Sequence, residues 1–392
     1  MNMNESPRIE WTESGEVCSA RWHSEAGAPP PRRVQVVDDT LTADNAWRLA
    51  CEGTALLWRG DFQNARQLLQ AMTRRFERGS GKPAKAGTTL TDLFHRHRML
   101  QGQRARTLGM LLIPFEAGHV IPLRRAPNLA LACQEACGDA PTPYVASLRE
   151  LLGWIGAHEW RKRGLEIPGL GGRIHAHYGV FSPVRGEYLS LLAQAPLPAA
   201  LSSCNQAFDI GTGTGVLAAL LARRGVERVV ATELNARALV CAQENIECLG
   251  LAGQIEIQRA DLFPPGQAAL IVCNPPWLPG RPASLLEQAI YDPDSRMLRG
   301  FIDGLAAHLV SGGEGWLILS DLAEHLGLRT RETLLGWFAQ AGLKVLGRQD
   351  VRPQHPKAAD INDPLYLARV AEITSLWRLG LNAPSAASPG SD

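Results

Sequence analysis

The chain has 392 residues, 45% of them hydrophobic and 20% charged, with a formal net charge of +1. That length supports two or three domains and a large buried core, and the composition is that of a globular protein rather than a disordered or collagen-like one. No apolar run reaches the roughly 18 to 20 residues of a membrane span, and the start, with Asn2, Asn4, Glu5, Glu10 and Glu13, lacks both the basic residues and the apolar core of an export signal. A cytoplasmic protein with no membrane partner is therefore expected.

Residues 1–40 show no periodicity and contain Ala26-Gly27-Ala28-Pro29-Pro30-Pro31, so a flexible arm is expected there. From Asp44 the pattern turns helical: Trp47, Ala50, Leu57 and Trp58 on a first helix, then Asp61 as N-cap before Phe62, Ala65, Leu69, Met72 and Phe76 at three-to-four spacing. A third helix, about 90–112, carries Phe94-His95-Arg96-His97-Arg98, Arg104 and Arg106, and the 111–123 stretch reads as a hairpin. Two more helices, about 128–137 and 143–162, complete a mainly helical N-terminal domain over 41–165. Between residues 41 and 130, fourteen Lys and Arg face six acids, an excess of eight positive charges. The 74–106 region is thus the candidate surface for an anionic partner, either nucleic acid or an acidic protein, against the plainer alternative of a helix packing Leu93, Leu100, Leu108 and Leu111 inward with its arginines in water. His95 and His97, two apart, point to different faces and do not form a metal pair.

The eight cysteines are scattered without a CxxC pair and read as reduced packing thiols. Glu166 to Gly172 is a loop. In the segment that follows, His175, His177, Arg185 and Tyr188 could line the mouth of a site, with Ser182 capping a helix that opens at Pro183.

The most informative stretch is Phe208-Asp209-Ile210-Gly211-Thr212-Gly213-Thr214-Gly215, an apolar strand breaking into a glycine turn. Glycine permits positive φ and close approach of a ligand to the backbone. Beyond it the alternation is regular: helix 216–224, strand 228–232, helix 236–249, strands 255–258 and 269–273, helix 297–309, strand 315–319, then a helix at 330–341 flanked by strands near 343–349 and 366–377. Alternating β and α with apolar strands means an α/β domain with a parallel sheet covered on both faces, spanning about 170–380, and ligands of such sheets bind at the carboxyl ends of the strands. The Ser, Ala and Pro-rich end, 381–392, is expected to be disordered.

Chemistry stands at those strand ends. Glu233, eighteen residues after Gly215, can accept both hydroxyl hydrogens of a ribose, and Asp261 can accept from the exocyclic amine of an adenine. In Asn274-Pro275-Pro276-Trp277 the two prolines impose an extended, rigid turn. The Asn274 side-chain oxygen and the Pro275 carbonyl can each accept one hydrogen of a planar NH2 group, directing its lone pair at an electrophile, and Trp277 offers an aromatic face.

With these pieces (FDIGTGTG, TELN, ADLF, CNPPWLP, AIYDPDSRMLRGFIDG and the preceding HYGVFSPVRGEY) the chain resembles the class I S-adenosylmethionine-dependent methyltransferases, small-domain group, and is similar to the release-factor glutamine methyltransferase family. The resemblance covers roughly residues 174–320. It implies a Rossmann-like seven-stranded methyltransferase sheet after the helical N-terminal domain, S-adenosyl-L-methionine as cofactor and no metal. It places Asp209, Gly211, Thr212, Gly213, Gly215, Glu233, Asp261, Leu262 and Asn274 at the cofactor, and Asn274, Pro275, Pro276 and Trp277 at the reacting amine. Trp277 stands where glutamine methylation usually has tyrosine, and Leu262 where that family often has an aromatic. The acceptor expected first is a glutamine or asparagine amide of a protein. The alternatives are an exocyclic amine of a nucleic-acid base, a small metabolite, or, from another class, a non-catalytic nucleotide-binding protein. A nicotinamide-dependent dehydrogenase is weaker, because the NPPW turn has no role in hydride transfer. Selection of the acceptor is expected to reside in the N-terminal domain.

Overall fold

The computed structural model describes residues 7–80, 87–184, 186–354 and 360–382. Arg185, Lys82, Lys85 and the end of the chain beyond Asn382, where the disordered tail was expected, lie outside the described residues. The chain divides into two compact units, one formed by the residues up to Arg163 with His177–Gly179 and Ala283–Leu285, the other by Gly164–Ala176, Val180–Pro282 and the residues from Leu286 on.

In the first unit, helices carry more residues than strands, as expected, but they cover a sheet that periodicity did not disclose. Its elements are β1 (Arg8–Glu13), β2 (Glu16–Trp22), β3 (Arg33–Val37), α1 (Ala43–Cys51), β4 (Thr54–Trp58), α2 (Phe62–Ser80), α3 (Leu90–Leu108), β5 (Leu111–Phe115), α4 (Ala130–Cys137), β6 (Tyr144–Ser147) and α5 (Leu148–Arg163). The strands form one six-stranded sheet in the order β1-β2-β6-β5-β4-β3. Residues 8–37, expected as a flexible arm, therefore supply three strands. β1 and β2 pair antiparallel through the Ser14-Gly15 turn, where both residues take positive φ, and Ile9 and Trp22 enter the core.

The expected first helix breaks after Cys51 because Gly53 (φ +79°) turns the chain into β4. Leu56, Leu57 and Trp58 are then buried strand residues, and a run buried on both faces has no period by which to tell it from a helix. For the same reason β5 pairs with β4 and β6 instead of closing a hairpin, and the helix expected from 143 starts at Leu148 after a four-residue strand. Asp61 does cap α2, accepting from the Gln63 backbone N–H at 2.8 Å.

The second unit contains β7 (Leu165–Glu166), β8 (Arg173–Ile174), α6 (Glu187–Gln194), β9 (Gln206–Ile210), α7 (Val216–Arg223), β10 (Arg228–Glu233), α8 (Ala236–Cys248), β11 (Ile255–Arg259), β12 (Ala268–Cys273), β13 (Leu278–Pro279), β14 (Tyr291–Asp292), α9 (Arg296–His308), β15 (Leu309–Ser320), α10 (Leu322–His325), α11 (Arg331–Gln340), β16 (Leu343–Val351), α12 (Tyr366–Ala371) and β17 (Thr374–Leu381). Seven strands form the main sheet, ordered β11-β10-β9-β12-β15-β17-β16. This is the Rossmann-like seven-stranded α/β sheet that the resemblance implies. Five strands are parallel, and β17 runs antiparallel to both β15 and β16, so the sheet is mixed at one end. The stretch expected as a strand over 366–377 divides into α12 and β17, and the helix expected to open at Pro183 begins at Glu187 instead.

Strand alternation sorts the side chains into two layers. Ala207, Val229, Ala231, Leu270, Val272, Trp316 and Ile318 enter one core with α6, α7 and α8. Phe208, Ile210, Val230, Ile271, Leu317 and Leu319 enter the other with α9 and α11. Burial on both faces, worth about 1.5–3 kcal/mol per large aliphatic side chain, fixes the register of the central strands.

Candidate functional site

Register alone brings the sequence candidates to one edge. Cys273 pairs with Ile210, Ile210 with Thr232 and Thr232 with Gln258 across four adjacent parallel strands. The residues that follow, Asn274, Gly211, Glu233 and the Ala260-Asp261-Leu262 turn, therefore leave the sheet side by side at its carboxyl edge.

The glycine turn is held from beneath. Gly211 and Thr212 N–H groups both donate to the Thr232 carbonyl at 2.9 Å, and Gly211, Gly213 and Gly215 have φ of +70°, +57° and +82°. A Cβ on Gly211 would lie 2.3 Å from the Met297 methyl of α9, whereas one on Gly213 would meet open space. The Gly213 position is thus open to a ligand and Gly211 is closed by packing. Asp209 and Thr212 are buried beneath the loop: Asp209 Oδ2 accepts from Thr212 Oγ1 at 2.6 Å and from the Ala218 N–H at 3.0 Å, clamping the turn to α7. Burial pushes the Asp209 carboxyl up to about 6, the Thr212 and Ala218 bonds pull it down, and the Glu233 charge adds to the rise. Its Oδ1 is buried without a hydrogen-bond partner.

Glu233 spans the second turn. Its Oε1 accepts from the Leu234 and Asn235 N–H groups, each at 2.9 Å, and its Oε2 accepts from Gly213 N–H at 3.1 Å. A carboxylate has about four acceptor positions, so these three bonds orient it and leave capacity for a ligand hydroxyl. Asn235 then caps α8, accepting from Arg237 N–H at 2.9 Å.

Leu262 takes φ +74°, a conformation costly for a branched side chain, and its carbonyl accepts from Thr232 Oγ1 at 2.5 Å. The turn persists because α9 receives it: a Cβ on Gly300 would lie 2.4 Å from Leu262, and one on Gly304 would lie 2.5 Å from Phe263, whose ring stacks on His308 at 4.3 Å. Asp261 remains at the surface and pairs with Arg296 of α9 at 2.7 Å. The start of α9 is fixed by Asp292, whose carboxylate accepts from Met297 N–H at 3.1 Å and Leu298 N–H at 3.0 Å. Burial raises the Asp292 carboxyl above its usual value against those bonds. Nothing local in the sequence pointed to Asp292 or Met297, since their contacts depend on where α9 packs.

In the NPPW turn, Pro275 is buried and the Trp277 indole N–H donates to Asn274 Oδ1 at 2.9 Å. Trp277 thus turns its indole edge to Asn274, while its ring packs against the cores on both faces of the sheet. Tyr188 of α6 is 4% exposed, and burial pushes the ionisation of its phenol well up. Cys273, wholly buried beside the Asp209, Asp292 and Glu233 charges, is held as a neutral thiol and is no nucleophile.

His175 is tied to α8 through its backbone: its N–H donates to Asn245 Oδ1 at 2.8 Å and its carbonyl accepts from Asn245 Nδ2 at 3.3 Å. His177 is buried and groups with the first unit. On the basic 74–106 stretch, Arg75 pairs with Asp44 at 2.6 Å and Arg104 with Glu77 at 3.6 Å. Among the described residues no helix is long and apolar enough to cross a membrane.

Comparison with known proteins agrees with this geometry. Residues 171–338 match the methyltransferase small domain. The chain is 34% identical over 149 residues to the release factor glutamine methyltransferase of Cereibacter sphaeroides, covering 34% of this chain and 51% of that protein. It is 27% identical over 214 residues to the ribosomal protein uL3 glutamine methyltransferase of Bordetella pertussis, covering 53% and 65%. It is also 37% identical over 86 residues to the tRNA1(Val) (adenine(37)-N6)-methyltransferase of Erwinia tasmaniensis, covering 20% and 35%. The chain spans about half the length of the first of these relatives. Residues 171–338, which hold the glycine turn, the acidic strand ends and the NPPW turn, are the part of the chain that is similar to the methyltransferase small domain.

Proposed function

We propose that the protein is an S-adenosylmethionine-dependent N-methyltransferase whose acceptor is a planar NH2 group, with a glutamine or asparagine amide of a protein as the acceptor class. The observation that carries the reading is the Asn274 amide, held by Trp277 at the strand edge that also presents the glycine turn and Glu233. The open face of Gly213 and the remaining acceptor capacity of Glu233 fit the cofactor. When bound, S-adenosylmethionine supplies a methyl group already activated on a sulfonium.

The residues then divide the work. Gly211, Gly213 and Gly215 give the turn its positive φ, with the open face of Gly213 toward the cofactor; Asp209 and Thr212 hold the turn, Glu233 accepts the ribose hydroxyls, and Asp261 with Leu262 borders the adenine. Asn274 Oδ1 and the Pro275 carbonyl accept the two acceptor N–H groups and aim the nitrogen lone pair along the line of displacement, while Pro275 and Pro276 keep both oxygens fixed. The Trp277 bond occupies one lone pair of Oδ1 and leaves the second for the acceptor.

Two aligned relatives bear glutamine methyltransferase in their names, which favours a protein amide. The relative named for a tRNA adenine N6 position favours the second reading, an exocyclic amine of a nucleic-acid base, with the basic 74–106 region as its docking surface. Incubation with methyl-labelled S-adenosylmethionine and a cell extract, followed by protease or nuclease, separates them. Label released by protease is expected, and label that resists protease but yields to nuclease moves the assignment to the second reading. Asn274→Ala is expected to abolish transfer while cofactor affinity, measured by calorimetry with S-adenosylhomocysteine, stays within about threefold, a change below one kcal/mol. Full turnover in that variant removes the mechanism.

A further inference from the structure

The first unit gathers metal-ligating side chains that the methyltransferase reading does not use. His23 stands one residue past β2. Its N–H donates to the Val145 carbonyl at 2.9 Å, which extends the pairing of β2 with β6 by one step. Strand alternation sends Trp22 into the core on one face of the sheet and His23 to the other face, where its ring meets the buried Tyr144 and Trp154 rings edge-on at 5.5 and 5.8 Å. The imidazole is thus oriented by packing.

The turn that follows is anchored as well. Glu150, in the first turn of α5, accepts from Ser24 Oγ at 2.6 Å and from the Glu25 N–H at 3.1 Å, and the Glu25 side chain comes back beside His23. Cys137 arrives from a third element as the last residue of α4, which stops where Gly138 takes φ +72°. The Gly138 carbonyl can only accept, so His119 Nε2 donates to it at 2.8 Å, and in the neutral ring Nδ1 accepts from the Tyr144 phenol at 2.8 Å. Tyr144 therefore braces both the His23 ring and the end of α4.

One ring nitrogen of His23, one carboxylate oxygen of Glu25 and the Cys137 sulfur lie within 4.8 Å of one another. His23 Nε2 is 3.1 Å from Glu25 Oε1, yet it is buried and makes no hydrogen bond: the two atoms are close without the alignment of donor and acceptor. A nitrogen and an oxygen bound to one tetrahedral zinc ion stand about 3.3 Å apart, given bonds of about 2.0–2.1 Å. The spacing is therefore that of two ligands converging on a shared ion. Imidazole, carboxylate and thiolate together are the mixed donor set that suits zinc, whereas calcium and magnesium take oxygen. A cavity of about 390 Å³, lined in part by Arg21, Trp22, His23 and Ser24, reaches the histidine and gives an ion a way in.

We propose that His23, Glu25 and Cys137 bind one zinc ion, with water in the fourth position, and that the ion ties the end of β2 to the end of α4. Binding releases the thiol proton of Cys137 to solvent. No residue of the second unit takes part, so the proposal stands independently of the methyltransferase reading.

The test uses the full chain, stripped with a chelator, dialysed and titrated with Zn2+ against a chromophoric chelator. One equivalent is expected to bind to the native protein, and to bind Cys137→Ser at least about a hundredfold more weakly, since even an outer-shell partner of a metal is worth about 10- to 100-fold. Glu25→Gln keeps the side-chain shape and the backbone bond to Glu150. It is expected to lose at least about tenfold in affinity and, without metal, to melt within a few degrees of the native protein. Co2+ supplies a second readout: a thiolate-to-cobalt charge-transfer band is expected in the native protein and in Cys51→Ser with Cys248→Ser, which removes the two exposed thiols, and is expected to be absent in Cys137→Ser. Native protein that takes up no Zn2+ overturns the proposal. So does an affinity unchanged in Glu25→Gln, or a cobalt band that survives in Cys137→Ser and disappears with the exposed thiols. If Cys137→Ser does not fold, the affinity of Glu25→Gln decides alone.

Discussion

At the scale of single residues, the site combines groups held rigidly with groups under electrostatic load. Asp209 is the clearest case. It is fully buried, two donors satisfy one oxygen, and the other oxygen has no partner. Its folded-state value, raised to about 6, lies above that of an unfolded aspartate, so its contribution to stability is fully present below about pH 4 and is lost as pH rises through 6. At about 1.4 kcal/mol per pKa unit, ionising it within the fold costs on the order of 3 kcal/mol. Asp209→Asn keeps an acceptor for Thr212 and Ala218 and removes the charge. Urea titrations at pH 4 and pH 7 are expected to show the variant gaining relative to the native protein between the two values, by up to about that amount. A difference independent of pH would show that burial does not load this carboxyl.

Among elements, α9 is the one on which the edge of the sheet depends. Its first turn is capped from outside by Asp292, across Asp294 and Ser295, two consecutive non-glycine residues with φ of +56° and +54°. Left-handed conformation costs such residues roughly 1 kcal/mol each, so the cap must hold the turn against that strain. Its Met297 closes Gly211, and its Gly300 and Gly304 receive Leu262 and Phe263. Asp292→Ala is expected to cost about 1–2 kcal/mol in urea midpoint with the slope unchanged, and to weaken S-adenosylhomocysteine binding as Met297 loses its seat. Asp292→Asn retains an acceptor and is expected to lose less than half of either; equal losses in the two variants would assign the effect to the charge rather than the cap. Periodicity identified α9 correctly, as it did α8 and α11, because each buries one face against the sheet and displays the other, whereas α7, buried from Val216 to Ala222, is marked by its place after the glycine turn. It failed at β4, β5 and β6, whose residues are buried on both faces and carry no period. It failed again at residues 8–37, where the Ala26-to-Pro31 break disguised short strands on either side.

For the whole molecule, the two units share no core: Trp58, Phe62, Tyr144 and Trp154 lie in the core of the first, and in the second Trp316 lies in the core on one face of the sheet and Phe208, Phe301 and Phe338 in that on the other. A ligand that binds only one unit stabilises only that unit. Scanning calorimetry with S-adenosylhomocysteine at about 100 times its dissociation constant is expected, on the proposed function, to raise the transition of the second unit by the equivalent of about 2.7 kcal/mol and leave that of the first in place. A single transition shifting as a whole would show that the two cores unfold together.

The linear order of residues was enough to recognise the glycine turn, both acidic strand ends and the NPPW turn, because each is a local device: a strand ending, a positive φ or a proline constraint lies within a few neighbours. It was also enough to class the second unit as α/β, since one-faced helices taking turns with short, continuously apolar strands write that order into the chain. Only the tertiary structure decided that Asp292 and Met297 brace the turn from α9 and that the N-terminal helices cover a six-stranded sheet. Those relations join residues tens of positions apart through packing, and long-range packing leaves no spacing in the sequence from which to count.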